Sequence, residues 1–270
     1  MFATPKIPLS PKHHLYADMR NFLGNQTLHY PFLYMFLYSC NCLVFWLICV
    51  VLLSGCLTGV PNTLNVITNF PFLVVGVLGF VLCLQRNFFN IILRGELWGW
   101  ALFYAGTAGV AFGSAYYHLK PDDNRVMWDT FPMMIAYSSL FSSFIVERMG
   151  EKIGLSSLFA LISFAFLSTA YGIKYNDLRL CMAFQLIPSV AIPGMMYVFR
   201  PKYTHSRYWL FAAGIHVLAK FEGVADRKIY RVNRYIISGH SLEHLCLAMV
   251  PVLLSIMLMY RNMKFQSLVE

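Results

Sequence analysis

The sequence predicts an all-α, polytopic membrane protein. Three observations carry that reading. The composition is 58% hydrophobic and 12% charged, whereas a soluble domain holds about 45–50% apolar and about 25% charged residues. The mean hydropathy is +0.58. The apolar residues gather into runs that come close to or exceed the roughly 20 residues a helix needs to cross a bilayer. Compact polar turns such as KPDDNR, ERMGEK, KYNDLR and RPKYTHSR separate them.

Taken in order, residues 1–31 read as a polar N-terminal tail without the apolar stretch of a secretory leader. An atypical hydrophobic segment follows over 32–59, with its apolar run at about 32–55. Seven further runs cover about 64–85, 97–118, 128–146, 154–172, 178–199, 206–221 and 235–260, and 263–270 forms a short tail. The run at 178–199 contains Pro188 and Pro193, which should kink it. All these runs are too long for barrel strands, which need only about 9–11 alternating residues. Trp98 and Trp100 read as interface anchors at a span end.

The net charge of +9 arises from 21 Lys and Arg against 12 Asp and Glu. These charges lie in short loops, where they face phospholipid headgroups rather than nucleic acid. The seven cysteines include no CxxC pair. They read as small buried hydrophobes, with no disulfide framework and no cysteine metal site.

Ionisable residues inside spans are costly and point to function. If the last seven runs are numbered one to seven, run two ends at Ser114 and His118, and run three begins near Asp129. Run seven opens with SGHSLEH, which places His240 and His244 in its first turns. Successive spans alternate direction, so these three ends share one side of the membrane. Ser114 and His118 are four residues apart and share a helix face, as do His240 and His244. Three imidazoles can then meet, with a carboxylate and a hydroxyl beside them.

Three neutral imidazoles and an open fourth position make a catalytic zinc site. Such a metal lowers the pKa of its water to about 7 and polarises a carbonyl. Asp129 could accept a hydrogen bond from that water or from a ligand imidazole, and Ser114 could donate to a developing oxyanion. Together these groups would hydrolyse an amide or an ester, and a site within the bilayer suits a lipid. A single histidine in a span more often only bonds a neighbouring helix, and His216 is read that way. His13, His14, His29 and His205 read as solvated tail or loop residues. Glu222 and Asp226 read as solvated partners of Lys220 and Arg227. HSLEH also matches H-x-x-E-H, in which the glutamate is a protease base. Glu243 is weighed in that role, but Asp129 is the favoured acidic partner.

The pattern S-x-x-x-H, an Asp eleven residues after that His, and H-x-x-x-H in the last run resembles the alkaline ceramidases. Their wider superfamily includes the adiponectin and progestin receptors. The flanks RGELWGWALFYAG, WDTFPM, LAKFEGVADR and ISGHSLEHL are more specifically similar to the plant and bacterial alkaline phytoceramidase-type branch. The resemblance runs from about Val60 to about Tyr260. It implies a seven-transmembrane-helix bundle over 60–262, with an additional helix before it if the run at 32–55 spans. It implies zinc held by His118, His240 and His244, Asp129 orienting or deprotonating the zinc water, and Ser114 supporting the oxyanion. The activity implied is hydrolysis of ceramide or phytoceramide to a sphingoid base and a fatty acid, in an endoplasmic reticulum or Golgi membrane. Some members also bind calcium through acidic residues near the start of span one. Here that start reads VPNTLNVITN, without Asp or Glu, which argues against a Ca²⁺ site. In this branch YADMRNFLG would continue almost directly into VPNTLN, whereas residues 25–59 intervene here. The competing readings are a lipid-sensing receptor with a structural metal, an intramembrane metalloprotease using HSLEH, and a metal transporter.

Overall fold

Every apolar run from residue 64 onward becomes helix, because a backbone in hydrocarbon must satisfy its own polar groups. The computed structural model describes residues 62–264 apart from 86, 123–124 and 236. The expected tail 1–31, the segment 32–59 with four of the cysteines, and residues 265–270 lie outside the described residues. The helices are α1 (Thr63–Ile67), α2 (Phe70–Gln85), α3 (Arg94–Leu119), α4 (Val126–Met149), α5 (Glu151–Tyr175), α6 (Arg179–Val198), α7 (Tyr208–Val224), α8 (Asp226–Val232) and α9 (Gly239–Tyr260). Among the described residues no strand accompanies them beyond an isolated Tyr203–Met263 bridge.

Among the described residues, four segments are long and apolar enough to cross a membrane: α1 with α2, α5, α6 and α9. That is fewer than the seven crossings expected. The 17 residues of α7 are short, and α3 and α4 are diluted by glycine, serine and charge. Large apolar side chains such as Phe159, Leu167, Val190, Phe211 and Phe221 stand exposed on the outer faces. Such a surface belongs in lipid, and the chain is a membrane protein. Among the described residues Cys83, Cys181 and Cys246 are free thiols. The helix α6 runs unbroken through Pro188 and Pro193.

The helix α3 is the hub, packed against α1, α2, α4 and α5. Its Gly99, Gly106 and Gly113 recur every seven residues and line the seam with α4. A Cβ on Gly106 would stand 2.9 Å from Ala136 N, and one on Gly113 would stand 1.8 Å from the Trp128 carbonyl oxygen. Small residues allow this approach of two backbones, as is common between membrane helices. The serines of α4 are accommodated locally. Ser138 and Ser139 donate to carbonyls four residues back at 2.8 Å, and Ser143 does so at 2.9 Å. Ser142 reaches across to Gly154 O at 2.8 Å.

Trp98 is exposed, in keeping with an interface anchor, but Trp100 is not. Trp100 is 1% exposed and packs on Trp209, with ring centroids 5.6 Å apart. The two tryptophans lie about 200° apart around the helix, so one faces out and the other faces the core.

The bundle is tied by buried charge where α3 begins and α4 and α9 end. Arg261 donates to Glu96 at 2.8 Å and to the Asn90 carbonyl at 2.9 Å. Tyr203 donates to the same Glu96 oxygen at 3.1 Å. Glu147 accepts from Trp209 Nε1 at 3.1 Å and lies 3.7 Å from Arg261. Arg148 donates to Phe199 O at 3.0 Å and to Ser206 Oγ. Two carboxylates therefore balance two guanidinium groups.

Candidate metal centre

The other end of the bundle gathers the predicted site residues. The last turn of α3 supplies His118, with Ser114 one turn earlier. The first turn of α4 supplies Asp129. The start of α9 supplies His240 and His244. That start is fixed by a cap. Ser238 Oγ accepts from Ser241 N at 3.0 Å, so the helix opens at Gly239, inside the edge of its apolar run. The backbone N–H of His240 donates to Asp226 Oδ1 at 2.7 Å, which ties the new helix to α8.

His118 and His244 are buried, and His240 is partly buried. One ring nitrogen from each of the three lies within 4.8 Å of the others. His118 Nε2 and His240 Nε2 are 3.1 Å apart, and the His240 and His244 ring centroids are 4.4 Å apart. The outward nitrogens of two rings are held. His240 Nδ1 meets Glu243 Oε2 at 3.1 Å, and His244 Nδ1 meets Thr68 Oγ1 at 3.0 Å. Metal-ligating imidazoles are oriented in this way, by a hydrogen bond on the nitrogen that faces away from the metal. The donor set therefore fits a metal ion with three nitrogen ligands.

Ser114 Oγ and Asp129 Oδ1 are buried without a hydrogen-bond partner. Asp129 has Ser114 and His240 as its electrostatic neighbours. Ser114 and Asp129 are thus neighbours of each other beside His240. The close α3–α4 approach at Gly113 brings them there.

Other contributors were not among the sequence candidates. Lys220 donates to Glu243 Oε1 at 2.7 Å, so this carboxylate bridges α7 and His240. The expected solvated pairing of Glu222 and Asp226 does not form. Asp226 bonds the α9 backbone, Glu222 is 8% exposed with Oε2 unpaired, and Lys220 has taken Glu243. The start of the first run, VPNTLNVITN, lacks acidic residues but braces the centre with neutral ones. Asn62 donates to His118 O at 2.6 Å, and Asn65 Oδ1 accepts from Ser241 at 2.5 Å. Asn62, Asn65 and Thr68 sit three apart, a helical spacing of polar residues in an apolar run that could have signalled them.

An apolar cavity opens beside the centre. Phe72 lines it and also meets the His244 ring edge-on, with centroids 6.3 Å apart. Leu247, Val250 and Pro251 continue its wall along α9.

A model of the ceramidase family matches residues 58–266. No curated protein and no solved structure is a match to the chain. The family match takes in all nine of the described helices, and the protein belongs to the ceramidase family.

Proposed function

We propose that this protein is a zinc-dependent intramembrane amidase that hydrolyses ceramide or phytoceramide to a sphingoid base and a free fatty acid. Its family implies a hydrolase acting on amide bonds and a lipid substrate such as ceramide. The observation that carries the metal-dependent reading is the convergence of His118, His240 and His244. The flanking motifs favour the phytoceramidase-type branch, and the membrane we assign is that of the endoplasmic reticulum or Golgi. In this reading α2 to α7 and α9 make seven crossings, and 60–262 is the membrane domain.

Bound at the three imidazoles, zinc would supply Lewis acidity and a nucleophile at neutral pH. His118, His240 and His244 hold it, while Thr68 and Glu243 fix the ring orientations. Asp129 takes the proton released as water adds to the amide carbonyl. Ser114 donates to the carbonyl oxygen as charge builds there. When the C–N bond breaks, the nitrogen takes a proton from Asp129 and leaves as the free amine of the sphingoid base. The carbon side leaves as the fatty acid. The apolar cavity beside His244 accepts a hydrocarbon chain and keeps bulk water away. Glu243 is a poor candidate for a protease base. Both its oxygens are engaged, one by Lys220 and the other by His240.

The test is release of fatty acid from ceramide and phytoceramide by the purified full chain in detergent. Release is expected from the wild type, and it is expected to be lost in His240→Ala and on chelation, then restored by zinc. No release from folded, zinc-loaded wild type would overturn the amidase reading and favour a lipid-sensing receptor.

A further inference from the structure

One polar pair lies inside the apolar cavity and has no part in the proposed reaction. Ser189 on α6 and His216 on α7 both line the cavity and are 8% and 4% exposed. Ser189 Oγ and His216 Nδ1 lie 2.5 Å apart. Tyr137 packs edge-on against the imidazole, with centroids 4.9 Å apart. These contacts fix the ring and occupy Nδ1. The second nitrogen, Nε2, is buried without a hydrogen-bond partner. Leaving a buried polar group in that state is unfavourable, because the water it gave up is not replaced. Helix packing would explain a histidine bonded at Nδ1. It does not explain an unmet Nε2 in a wall of Phe103, Val110, Ile192 and Leu247. Thr107, another polar residue of the wall, is turned back on the Phe103 carbonyl at 2.8 Å.

We propose that the Ser189–His216 pair is a specificity site that takes a hydroxyl group carried on a hydrocarbon chain of the lipid. This rests on reading the cavity as the chain-binding part of the amidase. A hydroxyl suits the site because it both donates and accepts, so it satisfies Nε2 in either neutral tautomer. A plain chain leaves Nε2 unmet and is bound less well. The position favours a hydroxyl near the amide. His216 lies one helical turn, about 6 Å, before Lys220, whose partner Glu243 touches His240. The chemistry is common to a hydroxyl on the acyl chain and one on the long-chain base, and the test separates the two.

Binding to the full-length protein in detergent would be measured for three lipids: plain ceramide, ceramide with a 2-hydroxyacyl chain, and ceramide with a 4-hydroxylated base. The wild type is expected to bind one hydroxylated lipid at least about tenfold more tightly than plain ceramide, since a site built for a hydroxyl rejects the analogue that lacks it. The lipid that shows the gain identifies the source of the hydroxyl. His216→Leu is expected to bring the ratio to about one while plain ceramide still binds. Ser189→Ala, which frees the ring, is expected to lie between. Where His216→Leu does not fold, His216→Gln is compared instead and is expected to lower the ratio. Equal binding of all three lipids to the wild type would overturn the proposal. So would a ratio unmoved by these substitutions. Because binding is read without turnover, a hydroxyl preference without fatty-acid release sinks the amidase reading alone. Release without a preference sinks the specificity site alone.

Discussion

Glu243 uses its two carboxylate oxygens for two neighbours: Oε2 orients His240, and Oε1 holds Lys220 of another helix. In the proposed reaction it acts through a metal ligand and is a positioning residue. Glu243→Ala is expected to lower metal affinity about 10–100-fold, the usual effect of removing a partner of a ligating histidine. Metal content after dialysis against graded chelator would check this. Glu243→Gln keeps an acceptor for His240 and is expected to fall between. An unchanged affinity in both would remove Glu243 from the site. The clustered histidines and Asp129 were legible because they are ionisable groups in or beside apolar runs, and Ser114 because it stands one helical turn before His118. Asn62, Asn65 and Thr68 are neutral, and in an apolar run they signal far more weakly than a carboxylate would. Lys220 was given the wrong partner. Its true one is distant in sequence, and only the packing of α7 on α9 brings the two together.

At the scale of elements, the α3–α4 seam decides whether Ser114, His118 and Asp129 meet. Gly113→Val would place a side chain where the Trp128 carbonyl already stands, since even a Cβ would lie 1.8 Å from that oxygen. The helices must separate, and both activity and melting temperature are expected to fall. Gly109→Ala on the same helix is the comparison. Its Cβ would lie 3.2 Å from the Pro132 ring, a contact that a small shift relieves. A smaller loss is expected there, read by fatty-acid release and thermal unfolding in detergent. Equal losses would mean that the seam is not what positions the site. Helix extents followed the apolar runs closely because one physical demand, a satisfied backbone, sets both. The helix α8 was not foreseen. It is short and polar, DRKIYRV, and is tied down by the contact of Asp226 with α9 rather than by its own pattern.

Over the whole molecule, the histidine cluster and the buried ionic knot sit at opposite ends of α3. Glu96 and His118 are separated by about 33 Å of helix, close to the roughly 30 Å of a hydrocarbon core. That the ends of three spans meet on one side was readable from alternation alone. The knot was not. Glu96, Glu147, Arg148 and Arg261 lie at the margins of apolar runs, where charge reads as loop. Arg261→Met would leave Glu96 and Glu147 short of a buried partner. Breaking such a pair costs about 3–5 kcal/mol. Thermal unfolding is expected to drop accordingly, with turnover per folded molecule unchanged. A fall in turnover without a fall in stability would contradict the separation.

That separation has a consequence for inherited variation. Harmful substitutions along α9 should divide into two kinds. Near Gly239 they leave the protein abundant but idle. Near Tyr260 they leave it scarce but competent. Measuring cellular abundance and lipid turnover for each variant would sort them, and the boundary between the two kinds would fall within a single helix.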